Sequence, residues 1–187
     1  MKLGLRYGFR VLYHCSYADD EALDMLEAKK SEIFVAPAAG LAQAAIEADP
    51  SFNLPAALVE RGHRILALQM QLVPELRRRG IRVLPGGDYG FPHNPIGRNA
   101  RDLELFVTKL GFTPEEALMS ATKWGGEIMG MGDELGLIEP GYLADLLLVD
   151  GDPVKDISIL QDRAKLLMIM KDGAYHKAPP EHRIMQA

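Results

Sequence analysis

The sequence predicts an α/β fold of parallel βα units, followed by a small β-rich region. Short apolar runs alternate with longer amphipathic segments through the first part of the chain. Buried strands separated by helices are typical of a parallel sheet, because each connection must return to the opposite end of the sheet. After Gly141 the apolar runs lose their intervening helices, which fits a small β-rich appendage better than another βα unit.

The first part of the chain contains three predicted strands and two predicted helices. Asp19 or Asp20 is expected to cap the first helix. Pro74 is expected to kink or restart the second helix, and Gly80 to end it. The strands are predicted at 9–13, 32–36 and 81–84, and the helices at 19–29 and 54–79.

The second part begins with two further helices, at 100–110 and 113–129. Thr113 and Glu116 form a capping box at the start of the latter. Asp172-Gly173 predicts a tight hairpin turn. Strands are predicted at 144–150, 166–171 and 174–177, and a loose tail from 178.

Composition excludes several classes of function. The net charge of −5 and the absence of a basic stripe argue against binding to nucleic acid. A single cysteine, Cys15, excludes an internal disulfide framework. The sequence has no signal peptide and no apolar run of about eighteen residues, so we expect no membrane partner and a cytoplasmic location.

Two polar residues follow predicted parallel strands, where chemistry is expected. His14 follows the first strand and Asp88 follows the third. Parallel strands all end at one edge, so the two side chains can converge there on a zinc-like cation. A histidine in a loop and a Gly-Gly-Asp turn also occur without any function. The spacing alone therefore leaves both interpretations open.

Several motifs, in order along the chain, resemble those of the amidohydrolase superfamily. The segment 85–88, Pro-Gly-Gly-Asp, is similar to the Gly-Thr-Asp or Gly-Ser-Asp at its eighth strand. The segment 13–15, Tyr-His-Cys, is similar to its sixth-strand Glu-His-Gly. Segments 110–118 and 135–149 resemble its helix after the barrel and its return into a small β-sandwich. The likeness is to the imidazolonepropionase-like and prolidase-like branch.

The resemblance implies a fold and a reaction. The fold is the C-terminal part, about strands 6–8, of a TIM-like (β/α)8 barrel at 1–139, with strands and tail of a β-sandwich appendage at 140–187. The reaction is hydrolysis of a C–N bond in an amide, carbamate, urea or peptide by a metal-activated water. His14 would be a metal ligand, and Asp88 both a metal ligand and the catalytic proton acceptor. The metal would be divalent, with zinc expected and one or two ions in the intact parent.

The loop after Asp88 is where superfamily members often meet a small-molecule substrate of the amide type. Its candidates for substrate binding are His93, Tyr89, Arg98 and Asn99. Polar loop residues are commonly only solvated, so this interpretation competes with an ordinary surface loop.

Two departures from the superfamily pattern limit what the chain alone can do. Gly87 replaces the Thr or Ser before the aspartate, which removes a hydroxyl. The first-strand His-x-His, the fourth-strand bridging residue and the fifth-strand His have no counterpart, and residues 1–9 suggest a piece of something longer. We therefore expect an inactive, associating chain, a homo-oligomer, completed by barrel strands from its parent or from another chain.

Two other interpretations remain open at this point. The chain is alternatively a non-catalytic half-barrel assembly subunit that completes a partner chain. A third option is a self-associating half-barrel that binds metal without turnover.

Overall fold

Three parallel strands form the sheet that positions the site. In a computed structural model, which describes residues 1–179, they lie in the order β1-β2-β3. Val11 pairs with Phe34 across the first two strands, and Phe34 pairs with Arg82 across the next. The strands are β1 (Val11–Tyr13), β2 (Phe34–Ala36) and β3 (Arg82–Val83), which confirms the three predicted parallel strands.

Four helices accompany this sheet: α1 (Lys2–Arg6), α2 (Asp20–Ala28), α3 (Ala39–Ile46) and α4 (Ala56–Arg78). The Asp19 side chain accepts a hydrogen bond from the Ala22 backbone N–H, so it is the predicted cap of α2. Of the two outcomes predicted at Pro74, the restart is wrong, because α4 continues through Pro74 as one helix of 23 residues, and the kink stays a prediction. The sequence pattern did not indicate α3, since small and apolar residues on most of its faces leave no amphipathic signal.

The prediction of a single helix at 113–129 is also wrong. After α5 (Arg101–Thr108), the chain forms α6 (Pro114–Ala121) and then α7 (Lys123–Ile128), with a break at Thr122. The predicted capping box is present at the start of α6. The break redirects α7 against the following loop. A Cβ atom at Gly126 would lie 2.1 Å from the Leu135 carbonyl oxygen, so only glycine allows this approach.

The last part of the described chain is an antiparallel sheet of β4 (Leu146–Val149), β5 (Leu166–Lys171) and β6 (Ala174–Lys177). Asp172 and Gly173 both have positive φ, at 47° and 74°, as the predicted two-residue turn requires. The tail predicted from 178 lies largely outside the described residues. Short 3₁₀ helices occur at Pro50–Phe52 and Ile157–Gln161.

The central strand β2 is buried on both faces of the parallel sheet. On one face Leu12, Val35 and Val83 pack with α2, α4 and α5 in the main core, which Ile157 also joins. On the other face Phe34, Ala36 and Leu84 pack with Trp124 and Ile128. Within residues 1–179, no helix is both long and apolar enough to cross a bilayer.

Candidate active site

Each parallel strand is followed, within five residues, by a residue with left-handed backbone conformation. The φ angles are 66° at His14 and 57° at Cys15 after β1, 57° at Ala38 after β2, and 47° at Asp88 after β3. A residue other than glycine adopts this region at a cost of about 1–2 kcal/mol. Such strain is concentrated at functional sites. The rim formed by the loops after these strands is therefore a candidate site.

The structure brings the predicted histidine and aspartate together at this rim. The backbone N–H of His14 donates to the Ala36 carbonyl oxygen at 2.8 Å, which extends the β1–β2 pairing to His14. Its ring Nε2 lies 3.4 Å from Asp88 Oδ2. The side chains are 56% and 38% exposed, so both reach solvent on the same side.

The spacing of these two atoms fits part of a divalent-cation site. Two ligands at about 2.0–2.2 Å from a tetrahedral zinc ion are separated by about 3.3–3.6 Å, which includes the observed 3.4 Å. Among the described residues, however, no group of three or more His, Cys, Asp or Glu side chains could hold a metal ion. The pair has the spacing of two ligands, and a closed site would need others.

A large cleft opens beside this pair, with a volume of about 700 Å³. His93, predicted to face the substrate, lines this cleft together with His14 and Asp88. Its ring packs against Phe91 with centroids 5.6 Å apart. The remaining wall is mainly apolar, and Arg61 is its basic side chain besides the histidines.

The other three residues predicted to bind substrate lie elsewhere. Tyr89 and Asn99 line a smaller cavity of about 250 Å³ behind Gly86 and Gly87. Arg98 is exposed and lines neither of these two cavities. The roles of Tyr89, Arg98 and Asn99 in substrate binding stay predictions.

Asn94 supports the Asp88 loop and was not identified from the sequence. Asn94 is 2% exposed, and its side-chain amide donates to the carbonyl oxygens of Gly87 and Asp88 at 3.2 and 3.1 Å. The Asn94 carbonyl oxygen accepts from the Gly90 backbone N–H at 2.9 Å. These contacts fix the turn that carries Asp88, and no periodic signal in the loop could have revealed them.

Gln69 joins the loops after β1 and β2 and was also missed. It is fully buried in α4, and its Nε2 donates to the Pro37 carbonyl oxygen at 2.5 Å and to Ser16 Oγ at 3.2 Å. Ser16 lies two residues after His14. The two hydrogen bonds of Gln69 therefore connect the loop that carries His14 to the loop after β2. In the sequence, Gln69 lies on the apolar face of α4 between Leu66 and Val73, and this position is the signal that indicates a buried polar residue.

Asp102 is a third buried polar residue near the site. It is 2% exposed, and burial raises its pKa to about 6, although the Tyr89 hydroxyl, the Gly86 backbone N–H and Arg101 oppose this shift. Burial, and then the Asp102 charge, raises the pKa of Tyr89. Among the described residues, neither Asp102 Oδ1 nor the Tyr89 hydroxyl makes a hydrogen bond of standard geometry. Its place among the apolar residues of α5 was the signal in the sequence.

Comparison with known proteins identifies relatives over nearly the whole chain. The sequence model of the amidohydrolase family matches residues 9–175. Ochratoxinase from Aspergillus niger is 26% identical over 179 residues, which are 94% of this chain and 35% of that protein. Imidazolonepropionase from Rubrobacter xylanophilus is 35% identical over 71 residues, or 38% of this chain and 17% of that protein.

Solved structures have the same fold. A Xaa-Pro dipeptidase with bound methionine in its active site is 25% identical with a TM-score of 0.79, covering 95% of this chain and 42% of that chain. The A. niger ochratoxinase structure has a TM-score of 0.75. The chain spans 35% of the curated ochratoxinase and 42% of the dipeptidase chain, so it corresponds to part of each.

The buried Asp102 carboxylate predicts a pH dependence of stability. With a pKa of about 6 against an ordinary 3.8, the native state holds the proton at pH values where the unfolded chain has lost it, so the native state loses stability as pH rises through this window. Asp102→Asn carries no such proton. Between about pH 4 and about pH 7, the free energy of unfolding of this variant in urea should increase by about 2–3 kcal/mol relative to that of the wild type. A difference that stays constant with pH would contradict the buried charge.

Proposed function

The chain belongs to the amidohydrolase family, as its motifs predicted, and from this membership we propose that it is the C-terminal part of a metal-dependent hydrolase of C–N bonds. The bond would be an amide, carbamate, urea or peptide bond. The observation that carries the proposal is the 3.4 Å approach of His14 Nε2 and Asp88 Oδ2 at the rim of the parallel sheet. Membership in a hydrolase family makes a shared cation the best explanation of this approach.

His14 and Asp88 have distinct roles in the proposed reaction. His14 helps to hold the metal through Nε2, and Asp88 holds it through a carboxylate oxygen. A bound divalent cation, with zinc expected, supplies Lewis acidity to the carbonyl and to water. Asp88 accepts one proton from the attacking water and returns it to the leaving nitrogen, so that one water is added across the C–N bond.

The remaining ligands and barrel strands are proposed to come from another segment, of the same parent or of a partner chain. β1 and β3 are the edge strands of the parallel sheet within the described residues. An unpaired strand edge exposes backbone donors and acceptors that favour pairing with a further strand. We therefore expect the isolated chain to associate, to form homo-oligomers in the absence of its complement, and to be inactive.

The two sheets suggest two parts of the parent. We propose that residues 1–139 belong to the barrel and residues 140–187 to the β-sandwich appendage, of which the structure describes the portion to 179. The parallel and antiparallel sheets share no strand. Contact between the parts is made at the 3₁₀ helix Ile157–Gln161, where Gln161 Nε2 donates to Glu104 Oε2 of α5 at 2.7 Å.

The cleft favours a substrate that combines an apolar group with a carboxylate. Its wall includes Leu41, Leu58, Ile65 and Phe91. Arg61 is exposed on α4 and lines the cleft, and it forms no ion pair with any described residue. An unpaired guanidinium suits recognition of a carboxylate. We propose that the substrate is an N-acyl amino acid or a dipeptide, with its carboxylate on Arg61 and His93 near the reacting amide.

A non-catalytic half-barrel subunit is the second candidate, favoured by the two unpaired edges of the short parallel sheet. Native mass spectrometry of the chain isolated from its source cells distinguishes the two. A longer parent, or a second chain with His-x-His and C–N hydrolysis, supports the hydrolase. A stable assembly with neither activity nor the missing ligands supports the subunit.

Zinc binding tests the ligand pair directly. His14→Ala and Asp88→Asn should each weaken zinc binding by the full chain about tenfold or more, or about 1.4 kcal/mol, because each removes one ligand. Isothermal titration calorimetry measures the change. His176→Ala, which removes an exposed imidazole on β6, should have no effect. Unchanged affinity in Asp88→Asn would remove Asp88 from the ligand set.

Turnover tests the proton transfer. In an assembly isolated through a tag on this chain, Asp88→Asn should lower kcat for amide hydrolysis by about 10²–10⁴-fold, the usual contribution of a general base. The exposed Asp133→Asn is the matched control and should retain activity. Metal-dependent turnover by the purified chain alone would contradict the proposed dependence on missing strands.

Arg61 tests the substrate class. Loss of a charge-assisted hydrogen bond of about 1.5–3 kcal/mol should make Arg61→Ala raise KM for an N-acyl amino acid about 10–100-fold, with kcat less affected. The corresponding carboxamide substrate should show no such change. Arg64→Ala, on the same helix but outside the cleft lining, is the matched control. An equal effect on both substrates would rule out the proposed carboxylate contact.

A further inference from the structure

At two positions near the site, neighbouring atoms leave no room for a side chain, so glycine is needed although the backbone conformation does not require it. Gly40 in α3 and Gly87 before Asp88 are absent from the residues with positive φ. Their backbones would accept an ordinary L-residue. Each glycine instead lies against the same side chain, the buried carboxylate of Asp102.

The distances leave no room for a side chain at either position. A Cβ atom at Gly40 would lie 2.2 Å from Asp102 Oδ1, and one at Gly87 would lie 3.0 Å from Asp102 Oδ2. The Gly87 Cβ would also meet the Tyr89 ring at 3.2 Å. The Asp102 carboxylate therefore fills the volume that side chains at 40 and 87 would occupy.

The burial of the Asp102 carboxylate lowers the stability of the folded chain. Burial of a carboxylate is unfavourable when its oxygens lack partners, and Asp102 is 2% exposed with Oδ1 unpartnered among the described residues. An apolar residue at 102 would fit the buried face of α5, where Leu103, Leu105 and Phe106 are already buried. A buried charge at this position points to a contact that the site requires.

The Asp102 carboxylate lies next to the turn that carries Asp88. The Gly86 backbone N–H and the Tyr89 hydroxyl both approach it, and they bracket Asp88 in the sequence. On another side of the same turn, the Asn94 amide donates to the Gly87 and Asp88 carbonyl oxygens. The strained Asp88 backbone, with φ at 47°, thus lies between two residues that approach the carboxylate, and its own carbonyl oxygen accepts from the amide.

We propose that Asp102 is a positioning residue for Asp88, and that its carboxylate takes the place of the hydroxyl that Thr or Ser would carry at position 87. Glycine at 40 and 87 provides the space for this exchange. The inference rests on the proposed function only for the role of Asp88 in hydrolysis. The geometric claim, that Asp102 sets the position of Asp88 relative to His14, stands independently of any reaction.

The His14 ring resonances in NMR spectra of the full chain report this position without metal or substrate. Asp88→Asn first defines the change in the His14 signals when the carboxylate contact is altered. Asp102→Ala should move the His14 signals in the same direction, whereas Asp102→Asn, which keeps the shape and an acceptor oxygen, should leave them near their wild-type values. Wild-type His14 signals in Asp102→Ala would overturn the proposal.

A compensating substitution separates positioning from a general loss of packing. Gly87→Ser should displace the His14 signals while Asp102 is present, because the new side chain meets the carboxylate. The same serine combined with Asp102→Ala should restore them, since it supplies the hydroxyl and the space is free. Gly125→Ala is the matched control, because a Cβ atom there meets nothing within 4 Å. If the His14 signals of the double variant do not return to their wild-type values, the claim that the Asp102 carboxylate replaces a hydroxyl at position 87 is wrong.

Urea unfolding of each variant identifies any chain that fails to fold. If Asp102→Ala unfolds, Gly87→Ser alone decides the question, and an unchanged His14 spectrum in that variant overturns the proposal. The result is independent of the proposed hydrolase activity. An assembly without amidase turnover would remove the proposed function and leave the His14 measurements valid.

Discussion

The hydrogen bonds of the three-stranded parallel sheet determine where His14 and Asp88 lie. β1 and β3 are separated by one strand, or about 9–10 Å at ordinary strand spacing. The side chains of His14 and Asp88 span this separation, since His14 Nε2 lies 3.4 Å from Asp88 Oδ2.

Buried polar side chains hold this rim in a strained conformation. Gln69 supports the loop after β1, and Asn94 and Asp102 support the turn after β3. Each comes from an element outside the sheet, so the site depends on how α4, α5 and the 87–94 loop pack. A net hydrogen bond contributes about 0.5–1.5 kcal/mol, comparable to the cost of one left-handed residue. Several such contacts can therefore maintain the strained residues at the strand ends.

The same sheet explains how the chain can have the fold of its relatives while it spans only part of their length. Buried faces with Val35 on one side and Phe34 on the other give the three strands a core of their own. The outer edges of β1 and β3 have no strand partner among residues 1–179. The proposed barrel site would need more of the chain than this fold does, because packing is local whereas the ligands of a barrel site come from strands around its circumference.

The sequence by itself determined the three parallel strands, the hairpin turn between β5 and β6, the capping box at Thr113 and the two residues that follow β1 and β3. These features depend on local periodicity, turn chemistry and motif order, which are visible in a single chain. Only the tertiary structure decided that α4 continues through Pro74, that the helix after Thr113 breaks at Thr122, and that His93 lines the cleft while Tyr89 faces Asp102. These outcomes depend on which side chains occupy the neighbouring space, and contacts between distant segments are not encoded in local pattern.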